Sequence, residues 1–148
     1  MKKLCALFLF CFVSVTAFAA ADNWLTSLDE AKKIAEKDKK VILMDFSGSD
    51  WCGWCIKLDK EVFSQQAFKD FAKDNLVLVL VDFPNGKKLD PAIQAANDSL
   101  AQKYNVEGFP TVILADSKGN VIARTGYRAG GPEAYITHLK EFIAKGKK

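Results

Sequence analysis

Hydrophobic residues along the chain follow two spacings, one typical of amphipathic helices and one of buried strands. Nearly continuous apolar runs at residues 41–46 and 76–83 predict two buried strands. Residues 111–115 and 121–125 predict two more strands, which the turn-forming residues 116–120 join into a hairpin. The strand signals are therefore spread along the whole chain.

Helical spacing fills the segments between these strands. Ser27 begins a capping-box sequence before a helix that ends in the charged residues 37–40. Three other segments have helical spacing or helix-start signals: residues 55–63 and 91–104, and the segment from Gly130 to Ile143. Ser64 is the expected N-cap of a further helix that carries residues 67–72. Strands that alternate with helices predict one α/β domain over residues 20–148.

The first nineteen residues differ from the rest of the chain. Lys2 and Lys3 precede an almost wholly apolar stretch, residues 4–18, and Ala17 and Ala19 have the spacing of a signal peptidase site. A membrane anchor is the alternative, but a spanning helix requires about 20 apolar residues. We therefore predict a cleaved signal peptide over residues 1–19, with cleavage as late as residue 21 as a second register. The mature domain is then periplasmic or secreted, with no stable membrane insertion.

Composition and charge restrict the classes of function that the protein can have. A chain of 148 residues with 49% hydrophobic content fits one packed domain. The net charge of +3 is small, and acidic and basic residues are mixed along the chain. Because the sequence has no basic stripe with interleaved aromatic residues, we expect no nucleic-acid binding.

The cysteines give the clearest chemical signal. Two of the four, Cys5 and Cys11, lie in the predicted signal peptide, which leaves Cys52 and Cys55 in the mature domain. Such a short loop stabilises little as a structural disulfide, and a structural zinc site needs four ligands. The single histidine, His138, is far along the chain. A redox-active pair is the interpretation that remains.

The position of the pair predicts a role for each cysteine. It follows a predicted strand and precedes a predicted helix, whose N-terminus favours negative charge. Such sites lower a cysteine pKa from about 8.5 to roughly 3.5–7.5, so Cys52 is the expected attacking thiolate. Cys55, one turn further into the helix, is expected to be more buried and to resolve the mixed disulfide.

Two aspartates near the pair each have two interpretations. Asp45 lies in an apolar strand, where a carboxylate is costly unless it is paired or protonated. It either accepts the proton of Cys55, through a raised pKa, or faces solvent or caps the loop. Asp50 either raises the pKa of the nearby Cys52 thiol or serves as a loop cap.

Several motifs together resemble a known family. The motif Trp51-Cys52-Gly53-Trp54-Cys55 follows a strand that ends in Asp-Phe, Phe109-Pro110-Thr111 begins a later strand, and Gly126 follows the hairpin. In this combination, residues 41–143 resemble thioredoxin. The likeness is greatest to exported thioredoxin-like proteins that carry Ser-Asp-Trp-Cys-x-Trp-Cys and Lys-Leu-Asp-Lys-Glu-Val-Phe, which is matched at residues 57–63.

The resemblance implies a fold and a set of roles. It implies a thioredoxin-like α/β fold, with a central mixed β-sheet flanked by helices. Pro110 would be a cis-proline facing the cysteines, and the adjacent backbone of Phe109 would pair with an extended client segment. Trp51 and Trp54 are expected either to form an apolar rim for such a client or to lie in the core.

The implied function is that of a protein-disulfide reductase or isomerase without a cofactor. Its partners would be client protein disulfides and a membrane-embedded thiol reductase as electron donor. The alternative is a non-catalytic thioredoxin-fold module that binds a client protein or Cu(I), a metal that two thiolates suit.

The sequence also departs from thioredoxin at four points. Gly53-Trp54 replaces Gly-Pro between the cysteines, so the reduction potential of thioredoxin does not transfer. One extra residue separates Asp45 from Cys52, and Leu78 is expected to replace a lysine of the central strand. The connection between Pro84 and Tyr104 is longer than in thioredoxin.

Overall fold

A five-stranded mixed sheet forms the centre of the computed structural model, which describes residues 23–146. The strands lie in the order β1-β3-β2-β4-β5. Their bounds are β1 Trp24–Leu25, β2 Val41–Ser47, β3 Leu76–Asp82, β4 Thr111–Ala115 and β5 Val121–Thr125. The first three strands in spatial order are parallel, and β4 and β5 are antiparallel to their neighbours. The predicted mixed sheet is therefore confirmed.

Helices cover both faces of this sheet. Their bounds are α1 Leu28–Asp38, α2 Gly53–Leu58, α3 Gln66–Asn75, α4 Pro91–Lys103 and α5 Gly131–Gly146, with a π-helical segment, Asp59–Phe63, directly after α2. Helices α1 and α4 contribute to the core on one face, and α2, the π-helical segment, α3 and α5 to the core on the other. None of the helices within residues 23–146 combines the length and apolar character needed to cross a bilayer.

The alternation of β2 positions Asp45. Leu43 lies in the core beneath α2 and α5, whereas Met44 lies in the core beneath α1. Because successive side chains of a strand point to opposite faces, Asp45 shares the face of Leu43. The strand β2 ends at Ser47, two residues after Asp45. Asp45 therefore lies beneath the loop and helix that carry the two cysteines.

Two local signals are confirmed by the structure. The Ser27 side chain accepts a hydrogen bond from the Glu30 amide at 3.3 Å and caps α1. The hairpin loop has Gly119 at φ +88°, and the Asp116 carboxylate accepts the amide N–H of Lys118 at 2.8 Å. In both cases a short polar side chain replaces a missing backbone partner.

Other local features differ from the predictions in part. The strand β1 was not predicted, because two residues are too few for a periodic signal. The helix expected at residues 55–63 is present, but it begins at Gly53 and changes to π-helical geometry at Asp59. Ser64 caps no helix: its hydroxyl donates to the Asp59 carboxylate at 2.9 Å, and Gln65 occupies the N-cap position of α3.

The predicted signal peptide, with Cys5 and Cys11, lies outside the described residues and stays a prediction.

Candidate redox-active site

Cys52 occupies the N-cap position of α2. The carbonyl of Gly48 accepts the Cys52 N–H at 2.8 Å, and the extended Cys52 backbone then leads into the helix at Gly53. The Cys52 sulfur accepts the amide N–H of Cys55 at 3.2 Å. Cys52 and Cys55 form a disulfide with their Cα atoms 5.2 Å apart. The pair therefore lies at the positive end of a helix, as the sequence predicts.

Cys55 is more buried than Cys52, as the sequence predicts, but the difference is small. Cys52 has 7% of its surface exposed and Cys55 has 4%. The first turn of α2 contains no acidic residue, so nothing on the helix opposes its dipole at the Cys52 sulfur. The dipole and the Cys55 amide both favour a negatively charged sulfur at Cys52 rather than at Cys55.

Asp50 acts as a loop cap, the second of its two interpretations. Its carboxylate accepts the amide N–H of Asn85 at 2.9 Å and of Gly86 at 2.6 Å. These two hydrogen bonds hold the pKa of Asp50 below its usual range. The side chain is therefore ionised at neutral pH and bound to the loop after β3.

Asp45 is buried, so the solvent-facing interpretation is wrong. Burial in the apolar interior and the charges of Asp59 and Asp82 raise the pKa of Asp45 to about 7, and burial is the largest of these causes. Its Oδ1 atom has no hydrogen-bond partner. A cleft of about 400 Å³, the Asp45 cleft, reaches it; its lining includes Asp45, Ser47, Cys55, Asp59, Ser64 and Leu80. Asp45 and Cys55 thus line the same cleft.

The residue opposite Asp45 on β3 is a leucine. The parallel register pairs Asp45 with Leu80 and Leu43 with Leu78. The replacement of a thioredoxin lysine by Leu78 stays a prediction. The neighbour of the buried carboxyl on β3 is apolar, so it provides no positive charge to lower the Asp45 pKa.

Trp51 lies at the surface beside the loop that contains Pro110. It is 49% exposed, its indole N–H donates to the Phe83 carbonyl at 2.7 Å, and its ring contacts that of Phe109 edge-on at 6.0 Å. The Phe109–Pro110 peptide bond is cis. Because Thr111 pairs with Phe46 near the end of β2, this loop lies at the same sheet edge as the cysteines.

Trp54 contacts a different aromatic residue. It is 57% exposed, and its ring lies 5.0 Å from that of Tyr127. The Lys57 ammonium group is 5.2 Å from the centroids of both rings, and the Tyr127 hydroxyl donates to Glu61 at 2.7 Å. Neither tryptophan lies in the core, so the core-burial interpretation is wrong for both.

Three residues of this region were not singled out from the sequence. Asp82 binds the loop before Cys52, Asp59 lines the Asp45 cleft, and Tyr127 packs against Trp54. Local signals were available at Asp82, a charged residue at the end of an otherwise apolar strand, and at Asp59, which lies in the motif at residues 57–63. Tyr127 carries no local pattern that points to the cysteines.

The described part of the chain contains no cluster of side chains that could hold a metal ion. Residues 23–146 contain no group of three or more His, Cys, Asp or Glu side chains arranged to hold a metal ion. The single histidine, His138, is half-buried in α5, and its Nε2 atom lies 3.0 Å from the Thr125 hydroxyl.

Comparisons with known proteins agree with this geometry. The family model of the thioredoxin-like domain matches residues 28–143. The chain is 38% identical over 125 residues to the disulfide bond reductase DsbH of Chlamydia pneumoniae, covering 84% of this chain and 75% of that protein. It is 32% identical over 101 residues to the thiol:disulfide interchange protein DsbD of Actinobacillus pleuropneumoniae, covering 68% of this chain and 15% of that protein.

A solved structure described as the DsbH oxidoreductase has the same fold. The match has a TM-score of 0.79 at 33% identity and covers 97% of this chain and 94% of the other. The family match, the relatives and the Cys52–Cys55 disulfide agree with one another. The chain therefore belongs to the thioredoxin-like family of thiol–disulfide oxidoreductases.

Proposed function

We propose that the protein reduces protein disulfides, with Cys52 as the attacking thiol and Cys55 as the resolving thiol. The observation that carries the proposal is the Cys55 amide N–H directed at the Cys52 sulfur, at 3.2 Å, on the first turn of α2. The same N–H stabilises a thiolate once the disulfide is reduced, and the thiolate is the nucleophile in disulfide exchange.

The reaction has two exchange steps. The Cys52 thiolate attacks one sulfur of the client disulfide, and the other client sulfur leaves as a thiolate. Cys55 then loses its proton, attacks the Cys52 sulfur and releases the second client thiolate. The client disulfide gains two electrons and two protons, and the Cys52–Cys55 pair is oxidised to the disulfide.

Asp45 is the proposed proton acceptor for Cys55 in the second step. Both residues line the Asp45 cleft, and the Asp45 pKa of about 7 lets this carboxyl take up or release a proton at neutral pH. The cleft gives the buried carboxyl a route for exchanging that proton with solvent. Without such an acceptor, the buried Cys55 thiol is a poor nucleophile.

The proposed client surface surrounds the disulfide. Trp51 and Trp54 expose apolar area on it, and the backbone of Phe109 beside Pro110 is the proposed site for pairing with an extended client segment. This surface suits an unfolded or extended polypeptide, whose apolar side chains and backbone are both accessible.

An exported compartment and a membrane-embedded thiol reductase complete the proposal. The predicted signal peptide directs residues 20–148 to a compartment where disulfides persist. Similarity to a disulfide bond reductase and to a thiol:disulfide interchange protein supports an electron-transfer partner of the same chemistry. N-terminal sequencing of protein recovered from a bacterial periplasm tests both the export and the cleavage site.

Insulin reduction tests the central assignment. Cys52→Ser should abolish turnover, whereas turnover at the wild-type rate would overturn the role of Cys52. Cys55→Ser should accumulate a mixed disulfide between Cys52 and the client, visible on a non-reducing gel and by mass spectrometry.

The reduction potential of the Cys52–Cys55 pair tests the direction of electron flow. A value nearer about −270 mV than about −120 mV is expected for a reductant. A reduction potential nearer about −120 mV would instead indicate an oxidant.

A further inference from the structure

The loop before Cys52 is attached to a buried carboxylate at the end of β3. The Ser49 amide N–H donates to Asp82 Oδ1 at 2.9 Å, and the Ser49 hydroxyl donates to Asp82 Oδ2 at 2.6 Å. Both carboxylate oxygens therefore bind the same residue of the loop, three positions before the attacking thiol. We propose that Asp82 is a positioning residue for Cys52, acting through Ser49 without touching the reacting sulfurs.

Backbone contacts carry the effect of Asp82 to the Cys52 sulfur. Gly48, which directly precedes Ser49, supplies the carbonyl that accepts the Cys52 N–H at 2.8 Å. Fixing Ser49 fixes this carbonyl and hence the position of Cys52 at the N-cap. That position directs the Cys55 amide at the Cys52 sulfur. A loop released from Asp82 would let Cys52 move away from the amide that stabilises its thiolate.

Asp82 is itself rigidly held, as a positioning residue requires. It is 6% exposed, its backbone is paired with Ser47 in the sheet, and its carbonyl accepts the Asn97 side-chain amide at 2.9 Å. The Lys87 ammonium group lies 3.4 Å from Asp82 Oδ2. These contacts offset the cost of burying the carboxylate, and they tie the loop of Ser49 to the sheet.

The competing explanation is that Asp82 acts only through its charge. Asp82→Asn and Asp82→Ala both remove that charge, including its effect on Asp45. The asparagine retains an oxygen acceptor for the Ser49 N–H and an amide donor for the Ser49 hydroxyl oxygen, whereas alanine retains neither. A difference between the two variants therefore reports the hydrogen bonds to Ser49 rather than the charge.

The test measures the alkylation rate of Cys52 by iodoacetamide in the reduced protein between pH 4 and pH 10, using mass spectrometry. Asp82→Asn should retain most of the wild-type rate at pH 7. Asp82→Ala should react roughly tenfold more slowly, and its pH midpoint should move upwards. Asp90→Ala is the matched control, because Asp90 caps α4 through the Ala92 amide and makes no bond to the loop before Cys52.

The outcomes separate this inference from the proposed function on which it rests. Equal rates in Asp82→Asn and Asp82→Ala would overturn the positioning role. If Asp82→Ala does not fold, Ser49→Ala tests the positioning role instead, because Ser49 is exposed and its substitution should leave the fold intact. Loss of the Ser49 hydroxyl should slow alkylation of Cys52 by a smaller factor. An unchanged rate in Ser49→Ala would then overturn the inference. An unreactive Cys52 in the wild-type protein would instead overturn the proposed function.

Discussion

Asp45 on β2 and Asp59 at the start of the π-helical segment line the same cleft. The Asp59 carboxylate is held by the Ser64 hydroxyl, whereas the Oδ1 atom of Asp45 has no partner. Burial raises the pKa of Asp45 most, and the charge of Asp59 raises it further. The pKa of the proposed acid–base group, Asp45, is therefore raised further by a residue on the helical segment that directly follows α2.

Stability should depend on the pH through Asp45. Its pKa rises from 3.8 to about 7 on folding, so the folded protein binds an extra proton between these values. The resulting stabilisation is complete below pH 3.8 and is lost as the pH rises through 7. Relative to Asp45→Asn, the oxidised wild-type protein should lose about 4 kcal/mol of unfolding free energy between pH 4 and pH 8.

Urea unfolding of both oxidised proteins at several pH values measures this difference. Asp70→Asn, which alters an exposed carboxylate on α3, is the control and should follow the wild-type pH dependence. A difference between wild type and Asp45→Asn that stays constant from pH 4 to pH 8 would show that Asp45 has no raised pKa.

Asp59→Asn should lower the pKa of Asp45. The substitution removes a nearby negative charge, and a like charge disfavours ionisation of a carboxyl. The pKa should stay above 3.8, because burial is the largest cause of the shift and is unchanged. Carbon-13 NMR titration of the Asp45 side-chain carboxyl measures the value directly. An unchanged or higher midpoint would contradict the electrostatic link, and Asp70→Asn again serves as the control.

The sequence predicted the parts of the molecule that local patterns encode. Apolar runs and helical spacing identified four of the five strands and the order of the main helices. The Cys52–Cys55 motif and the Phe109-Pro110-Thr111 motif placed the pair and the proline loop at one sheet edge through their resemblance to thioredoxin. The burial of Asp45 was one of two interpretations of a single charged residue in an apolar strand, and the structure confirms it.

Contacts between distant segments were beyond the reach of those patterns. The bond between Ser49 and Asp82 joins residues 33 positions apart, and it depends on the pairing of β2 with β3. The contact of Trp54 with Tyr127 requires the loop after β5 to return beside α2. The strand β1 exists only because its two residues pair with β3. Each of these features is decided by tertiary packing.

Trp51 and Trp54 should contribute to the reduction of protein clients more than to that of small disulfides. Each side chain exposes about half of its surface beside the disulfide, and burying an aromatic ring against a client stabilises the complex. We expect Trp51→Ala and Trp54→Ala each to lower kcat/KM for insulin by about fivefold, equivalent to roughly 1 kcal/mol. Turnover of the small aromatic disulfide DTNB should change less. Val121→Ala, which truncates a 45% exposed residue on β5, is the matched control. Equal losses for insulin and DTNB would place the effect on the cysteines rather than on client binding.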